Sequence, residues 1–357
     1  MAKFQYTITP EDEGMTVKTL LRSKFSFSGR LLTKLKFQHL VFLNGEETAG
    51  WITPKPGDVL SISLPEEKSD FPAEDIPIYP VYEDEDLLVL NKQPGIIVHP
   101  TKGHPLHTIA NGLMKYMEDT NQSFKIRFVN RLDMDTTGLL IVAKNSHAQD
   151  DVVKQMKAGT TEKHYIALVA GIIEEDDFTI DLPIGRPDPE DVRRRVMEEG
   201  GYPSVTHVKV LKRFSGQGFG SGLAAYKGYK DSIMEDAGIS QVMFKPGDLI
   251  TVNGDLITVT ELPPGFTLVE LLLETGRTHQ IRVHMSHIGH PLIGDHLYGG
   301  YNPALLKRQA LHAYKLCFRH PVSGEQLEIQ APLPEDMEQL LERIDEGSDD
   351  SSSVVPN

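Results

Sequence analysis

The chain has 357 residues, 39% hydrophobic and 24% charged, with a formal net charge of −15. That length exceeds one average domain and predicts two, and no apolar run approaches the ~18 residues of a membrane-spanning helix, which excludes a helical membrane protein. The single cysteine, Cys317, rules out an internal disulfide framework, and Met1 to Thr7 lacks an apolar signal core, so a reducing cytoplasm is expected.

Residues 16 to 36 read as two short helices broken at Ser26-Phe27-Ser28-Gly29, the second with an apolar face of Leu31, Leu32 and Leu35. Val41-Phe42-Leu43 runs into Asn44-Gly45, and alternation from Val59 to Leu64 predicts a half-buried strand. Residues 1–65 therefore read as a small α/β unit. Residues 66–80 carry Pro72, Pro77 and Pro80 among several acids and read as an extended linker. Beyond it, strands are predicted at Asp86–Leu90, Ile126–Val129, Leu139–Ala143, Tyr165–Val169, Thr206–Val210, Leu268–Leu273 and Gln326–Ile329, with helices at Thr108–Met117, Ala148–Met156 and Thr278–Ile288. This mixture predicts an α+β domain over 81–335, built on one large sheet. Within it, Ser215 to Pro264 holds a Gly-rich stretch and then a β-hairpin about Asn253-Gly254.

A net charge of −15 argues against a nucleic-acid partner, because neutralising phosphates takes Lys and Arg. Its distribution supplies part of the answer. From Glu335 to Asn357 there are eight acids and one arginine, so 336–357 reads as a disordered acidic tail. Arg22, Lys24, Arg30, Lys34 and Lys36 form a run with no acid between them. Local charge sets where a phosphate backbone docks, although such a run is equally the signature of a solvated helix face.

Two stretches carry the chemistry. Asn130-Arg131-Leu132-Asp133-Met134-Asp135-Thr136-Thr137-Gly138 is a polar loop between apolar strands, which would hold its side chains in place; the plainer reading is turn hydrogen bonding by Asp and Thr. Glu274 to Met285 places Gly276 before a helix whose Ile281, His284, Met285 and Ile288 share a face. Arg282 lies beside that face, where a guanidinium can keep a desolvated carboxylate ionised and oriented. His279, His284, His287 and His290 have spacings that admit a metal, but no cysteine or carboxylate completes a ligand set, and packed or hydrogen-bonded histidines are the better reading.

Three ordered motifs, Tyr82 to Pro100, Arg131-Leu132-Asp133 and Gly276-Arg277-Thr278-His279-Gln280-Ile281-Arg282, resemble the RluA family of pseudouridine synthases. The similarity extends through Lys163 to Val169, Gly289 to Asp295 and Leu311-His312-Ala313, and the first 65 residues resemble the alpha-L RNA-binding motif. The resemblance implies a large mixed, mostly antiparallel sheet flanked by helices. By position it implies Asp133 as catalytic carboxylate, Arg282 as its ion-pair partner and Tyr165 as the aromatic packed on the target base and a candidate for helping to remove the proton from carbon 5 of uracil. Arg131 matches the position that fills the stack left by a flipped nucleotide. Arg277, His279, Arg22, Arg30, Lys34 and Lys36 are candidate RNA contacts.

The reaction this implies exchanges a carbon–nitrogen for a carbon–carbon glycosidic bond and needs no metal or other cofactor. The expected partner is RNA, large-subunit ribosomal RNA ahead of transfer RNA, and the expected state is a monomer. Two departures stand out: Asn130 replaces the usual His, and the 215–264 segment is longer than the usual connection. Two rivals remain open: a glycoside hydrolase using Asp133 and Asp135, whose adjacency makes the required carboxyl separation hard to reach, and a non-catalytic RNA-binding or ribosome-assembly protein on the same fold.

Overall fold

The computed structural model describes residues 3–101, 103–188, 190–215, 247–252, 255–260, 263–299 and 301–346. Strands β1 (Phe4–Thr7), β2 (Val41–Leu43), β3 (Glu46–Glu47) and β4 (Val59–Ile62) form a four-stranded sheet in the order β1-β4-β2-β3. Helices α1 (Val17–Ser23) and α2 (Gly29–Phe37) begin where Thr16 and Ser28 accept hydrogen bonds from the backbone N–H groups of Thr19 and Leu31. Leu20, Leu31 and Leu35 pack with Leu60 and Ile62 in one buried cluster, and Phe4 and Phe27 meet His147 edge-on at 5.2 and 5.1 Å.

The segment expected to be a linker, 66–80, forms no helix or strand before Pro80, yet it does not hang free. Phe71, Ile76 and Ile78 pack against the largest core, and the Pro72 carbonyl accepts a hydrogen bond from Asn111 at 2.9 Å. It is a strap, held down by these three apolar side chains. Gly112 makes room for it, because a Cβ there would lie 3.0 Å from Ile76.

Ten of the remaining strands build one sheet among the described residues. Its main path uses β5 (Pro80–Glu83), β6 (Leu87–Lys92), β8 (Thr137–Ala143), β9 (Glu162–Ala170), β10 (Asp177–Asp181), β13 (Val205–Ser215), β16 (Gly265–Leu273) and β17 (Leu311–Arg319), in the order β10-β13-β16-β9-β17-β8-β6-β5. Two short strands lie off that path: β7 (Arg127–Phe128) on β8, and β18 (Gln326–Gln330) on β17. Pairing is antiparallel except between β8 and β17, where His312 faces Thr137 and Ala313 faces Gly138 in parallel. All seven residues of β8 are buried, as a strand covered on both faces requires. Small pairs β11 (Ile184–Gly185) with β12 (Arg195–Val196) and β14 (Leu249–Val252) with β15 (Asp255–Thr258) lie outside the main sheet. The second is the hairpin expected in the long connection; its Asn253-Gly254 turn and the Gly-rich stretch from 216 lie outside the described residues.

Helices α3 (Ile109–Asp119), α4 (Ser146–Lys157) and α5 (Gln280–His287) fall where periodicity placed them. The reading of 336–357 as a disordered tail is corrected over its first part: Glu335–Glu346 is helix α6. Met337, Leu340 and Ile344 are buried from it, a stripe at i, i+3 and i+7 that a count of charges overlooks. Its acids Glu335, Asp336 and Glu338 sit in the first turn, where the helix dipole favours them. Residues 347–357 lie outside the described residues.

Asp336 anchors this helix by a two-point ion pair, accepting from Arg308 Nε and Nη2 at 2.7 Å each, while Arg308 Nη1 donates to the Asp135 carbonyl at 3.3 Å. Asp336→Ala strands a buried guanidinium. The expected outcome is a loss of about 1–2 kcal/mol in urea denaturation, discounted for the solvent that reaches Asp336. Fully buried His312, bonded to Thr137 and the Ala331 carbonyl, has its pKa lowered from 6.5 to about 4, chiefly by burial. A pKa depressed in the folded state means that stability present above pH 6.5 is lost as pH falls toward 4. Denaturation midpoints should decline over that window, and less steeply in His312→Gln.

Candidate active site

The loop from Asn130 to Thr136 joins β7 to β8, and both ends are fastened. Asn130 Nδ2 donates to the Leu139 carbonyl at 3.1 Å, and its Oδ1 accepts from the Ile141 N–H at 2.7 Å. Asn130 thus uses one donor and one acceptor to bind the loop to β8, an assignment any side chain with both, including His, could fill. At the other end Gly138 has φ +107°, and a Cβ would lie 2.2 Å from the Ala313 carbonyl oxygen. Only glycine lets β8 and β17 close together there.

Beneath the loop, Lys92 is almost wholly buried. Its Nζ donates to the carbonyls of Gln93, Met134 and Thr136 at 2.9, 2.7 and 3.0 Å. Burial outweighs the opposing pull of Asp135 and Asp133 and lowers its pKa to about 7. Three carbonyls on three N–H bonds suit the ammonium form, so the loop is wrapped around a cation.

Asp133, at 19% side-chain exposure, sits where the loop meets α5. Arg282 Nη1 donates to Asp133 Oδ2 at 3.2 Å, while Nε and Nη2 grip Asp295 Oδ2 and Oδ1 at 2.7 Å each. Asp295 is fully buried and also accepts from the backbone of Leu297 and Tyr298. Although burial works against charge on the guanidinium, the Asp295 hydrogen bonds and the two carboxylates outweigh it and raise the Arg282 pKa. Its flat face lies over Tyr298, 5.1 Å from the ring centroid. Asp295 therefore fixes the guanidinium, and the remaining edge presents a positive charge to Asp133 through one longer bond.

His279 precedes α5 in the left-handed region, φ 58°, an uncommon conformation for a non-glycine residue. It is hydrogen-bonded to the Tyr298 hydroxyl at 2.8 Å, and its Nε2 lies 3.8 Å from Asp133. Burial lowers its pKa to about 4 against the opposing pull of Asp133, so the ring is neutral at pH 7. Tyr165, on β9, is buried beside Asp133; burial first, then that charge, raise its phenol pKa.

Asp133, Arg282, Tyr165, Arg131, Arg277 and His279 all line one small cavity of about 60 Å³. Arg131, Tyr165 and Arg277 also line an adjoining groove of about 820 Å³ that carries Lys157 and Lys163. Arg277 stacks over Tyr202 at 5.5 Å. Asp135 is absent from the cavity lining, which removes the two-carboxylate arrangement a glycoside hydrolase needs. The four spaced histidines do not converge: His284 is bonded to Thr206 and the Leu182 carbonyl, and His290 to the Ala170 carbonyl.

The basic run divides. Arg22 and Lys36 line a groove on the N-terminal unit that Arg30 and Lys34 do not. Lys34 is bonded to Glu67 at 2.9 Å, and Glu67 also holds Arg127, so Lys34 links the small unit to the strap. Asp295, Tyr298, Lys92 and Arg308 were not singled out from sequence. Asp295 follows Gly294 in a short polar turn that gives no periodic signal, and a lone Lys in an apolar strand reads as an edge residue.

Residues 86–287 match the family model described as RNA pseudouridylate synthase. Over 308 residues the chain is 39% identical to an uncharacterized RNA pseudouridine synthase, YlyB, of Bacillus subtilis, covering 85% of each chain. It is 36% identical over 280 residues to the ribosomal large subunit pseudouridine synthase D of Nitrosomonas europaea, covering 76% of this chain and 67% of that one. Among solved structures, human RNA pseudouridylate synthase domain containing 4 matches with a TM-score of 0.51 at 20% identity, over 75% of this chain and 93% of that one, a likeness of fold. The expectation raised by the three motifs is met, and the chain belongs to the RluA family of RNA pseudouridine synthases.

Proposed function

We propose that this enzyme converts a uridine of large-subunit ribosomal RNA to pseudouridine in the cytoplasm, acting as a monomer with Asp133 as its catalytic carboxylate. The observation that carries the proposal is Asp133, the one carboxylate lining a cavity walled by Tyr165, held there by Arg282. The ribosomal substrate is supported by relatives named for the large ribosomal subunit; transfer RNA is the alternative. No helix among the described residues is long and apolar enough to cross a membrane.

In this reading the RNA backbone runs along the groove past Lys157, Lys163 and Arg277, and the target uridine swings out of its stack at a cost of a few kcal/mol. Arg131, exposed at the rim, fills the vacated place. Uracil packs on Tyr165 beside Asp133. The bond from ring nitrogen 1 to the sugar breaks, the base turns, and a bond from carbon 5 to the sugar forms; carbon 5 loses a proton and nitrogen 1 gains one. Asp133 acts as nucleophile or as a stabiliser of the positive charge that develops on its reacting partner. Arg282 keeps it ionised, and neutral His279 adds no competing positive charge. Tyr165 serves as a wall for the base, its phenol pKa raised by burial first and then by the Asp133 charge.

With uridine tritiated at carbon 5, isomerisation releases tritium to water. Asp133→Asn should lower that release by about 10⁴-fold or more while RNA affinity and thermal melting stay near wild type; an active variant would overturn the assignment. Asp295→Asn weakens the grip on Arg282 without touching substrate, so kcat should fall by about 100-fold with little change in KM. Sequencing that maps pseudouridines in a strain lacking the gene should show one or more large-subunit positions unmodified. Loss confined to transfer RNA would select the alternative.

A further inference from the structure

A groove of about 930 Å³ lies on the N-terminal unit, between α1, α2 and the turn after β3. Two of its lining residues, Phe37 and Trp51, are the most exposed large hydrophobic side chains among the described residues, at 75% and 73%. Around them stand Lys18, Arg22 and Lys36. The groove's one lining carboxylate, Glu47, is held by His39.

Neither aromatic is needed by the core beneath, which Leu21 and Leu35 already close. Two solvated aromatic faces beside three cations match a ligand that offers flat apolar rings joined by anionic links. Unpaired RNA has that chemistry: each base stacks on an aromatic while its phosphate meets a cation, regardless of sequence. A duplex buries its base faces, so it could use only the cations. An apolar protein partner would leave the three cations without a role.

We propose that this groove binds unpaired ribonucleotides by stacking bases on Trp51 and Phe37, with Lys18, Arg22 and Lys36 on the intervening phosphates. The inference rests on RNA being the substrate and gives the N-terminal unit a preference for single-stranded segments flanking the structured target.

Trp51 is the only tryptophan in the chain, so its emission reports the groove directly. The full-length protein is titrated with oligouridylate, with an RNA duplex of equal charge, and with heparin, an anion without bases. The expected result is strong quenching by oligouridylate and little by the other two. Anisotropy of labelled oligouridylate should show about tenfold weaker binding for Phe37→Ala and for Trp51→Leu, with Trp51→Phe near wild type. Equal quenching by heparin or duplex, or unchanged affinity in both Phe37→Ala and Trp51→Leu, would overturn the proposal. Tritium release from ribosomal RNA by the wild-type protein is measured alongside. Release without selective quenching sinks the groove alone, whereas selective quenching without release from any RNA sinks the ribosomal reading and leaves the groove standing.

Discussion

The site depends on one guanidinium shared unequally between two carboxylates. Asp295, fully buried, takes two short bonds from Arg282, and Asp133 takes one longer bond. The division is useful because a carboxylate gripped at both oxygens would be a poor participant in chemistry, and one with no partner would tend to protonate in a low-dielectric pocket. Removing Asp295 would leave Arg282 free to close on Asp133 instead. The proposed catalytic group is thus kept available by a residue that never meets the substrate.

The loop bearing Asp133 is braced from every side by groups that satisfy its backbone. Lys92 collects carbonyls from below, Asn130 stitches its entry to β8, and Arg308 holds the Asp135 carbonyl while tied to α6. Each contact uses a buried polar group that would be costly if unpaired. Function is placed on a connection, and rigidity is supplied by the strands and side chains around it.

Much of this was legible in the sequence, for definable reasons. The loop at 130–138 stood out because polar residues interrupt two apolar strands, and α5 stood out by its 3.6-residue spacing. Strand β17 was hidden because a register shift between Ala313 and Lys315 spoils its alternation, and its first three residues are buried on both faces. The strap at 66–80 looked like a linker because proline and acid content masks the sparse apolar positions that fasten it. Helix α6 was taken for a tail because charge outweighed a stripe of only three buried residues. Asp295 and Lys92 could not be found by periodicity, since their meaning lies in the partners that the fold brings to them.

The strand order has a temporal consequence. Strands β7 and β8 flank the Asp133 loop, while β9 carries Tyr165 and β16 leads toward Arg282; in the sheet, among the described residues, the two groups are joined only through β17. That strand follows both groups in the chain. During synthesis the earlier strands can pair within each half, yet the two faces of the cavity stay unregistered until Leu311–Arg319 leaves the ribosome and slots between them. A nascent chain halted before that point would hold every proposed catalytic side chain and still have no assembled centre, so competence arrives late and all at once.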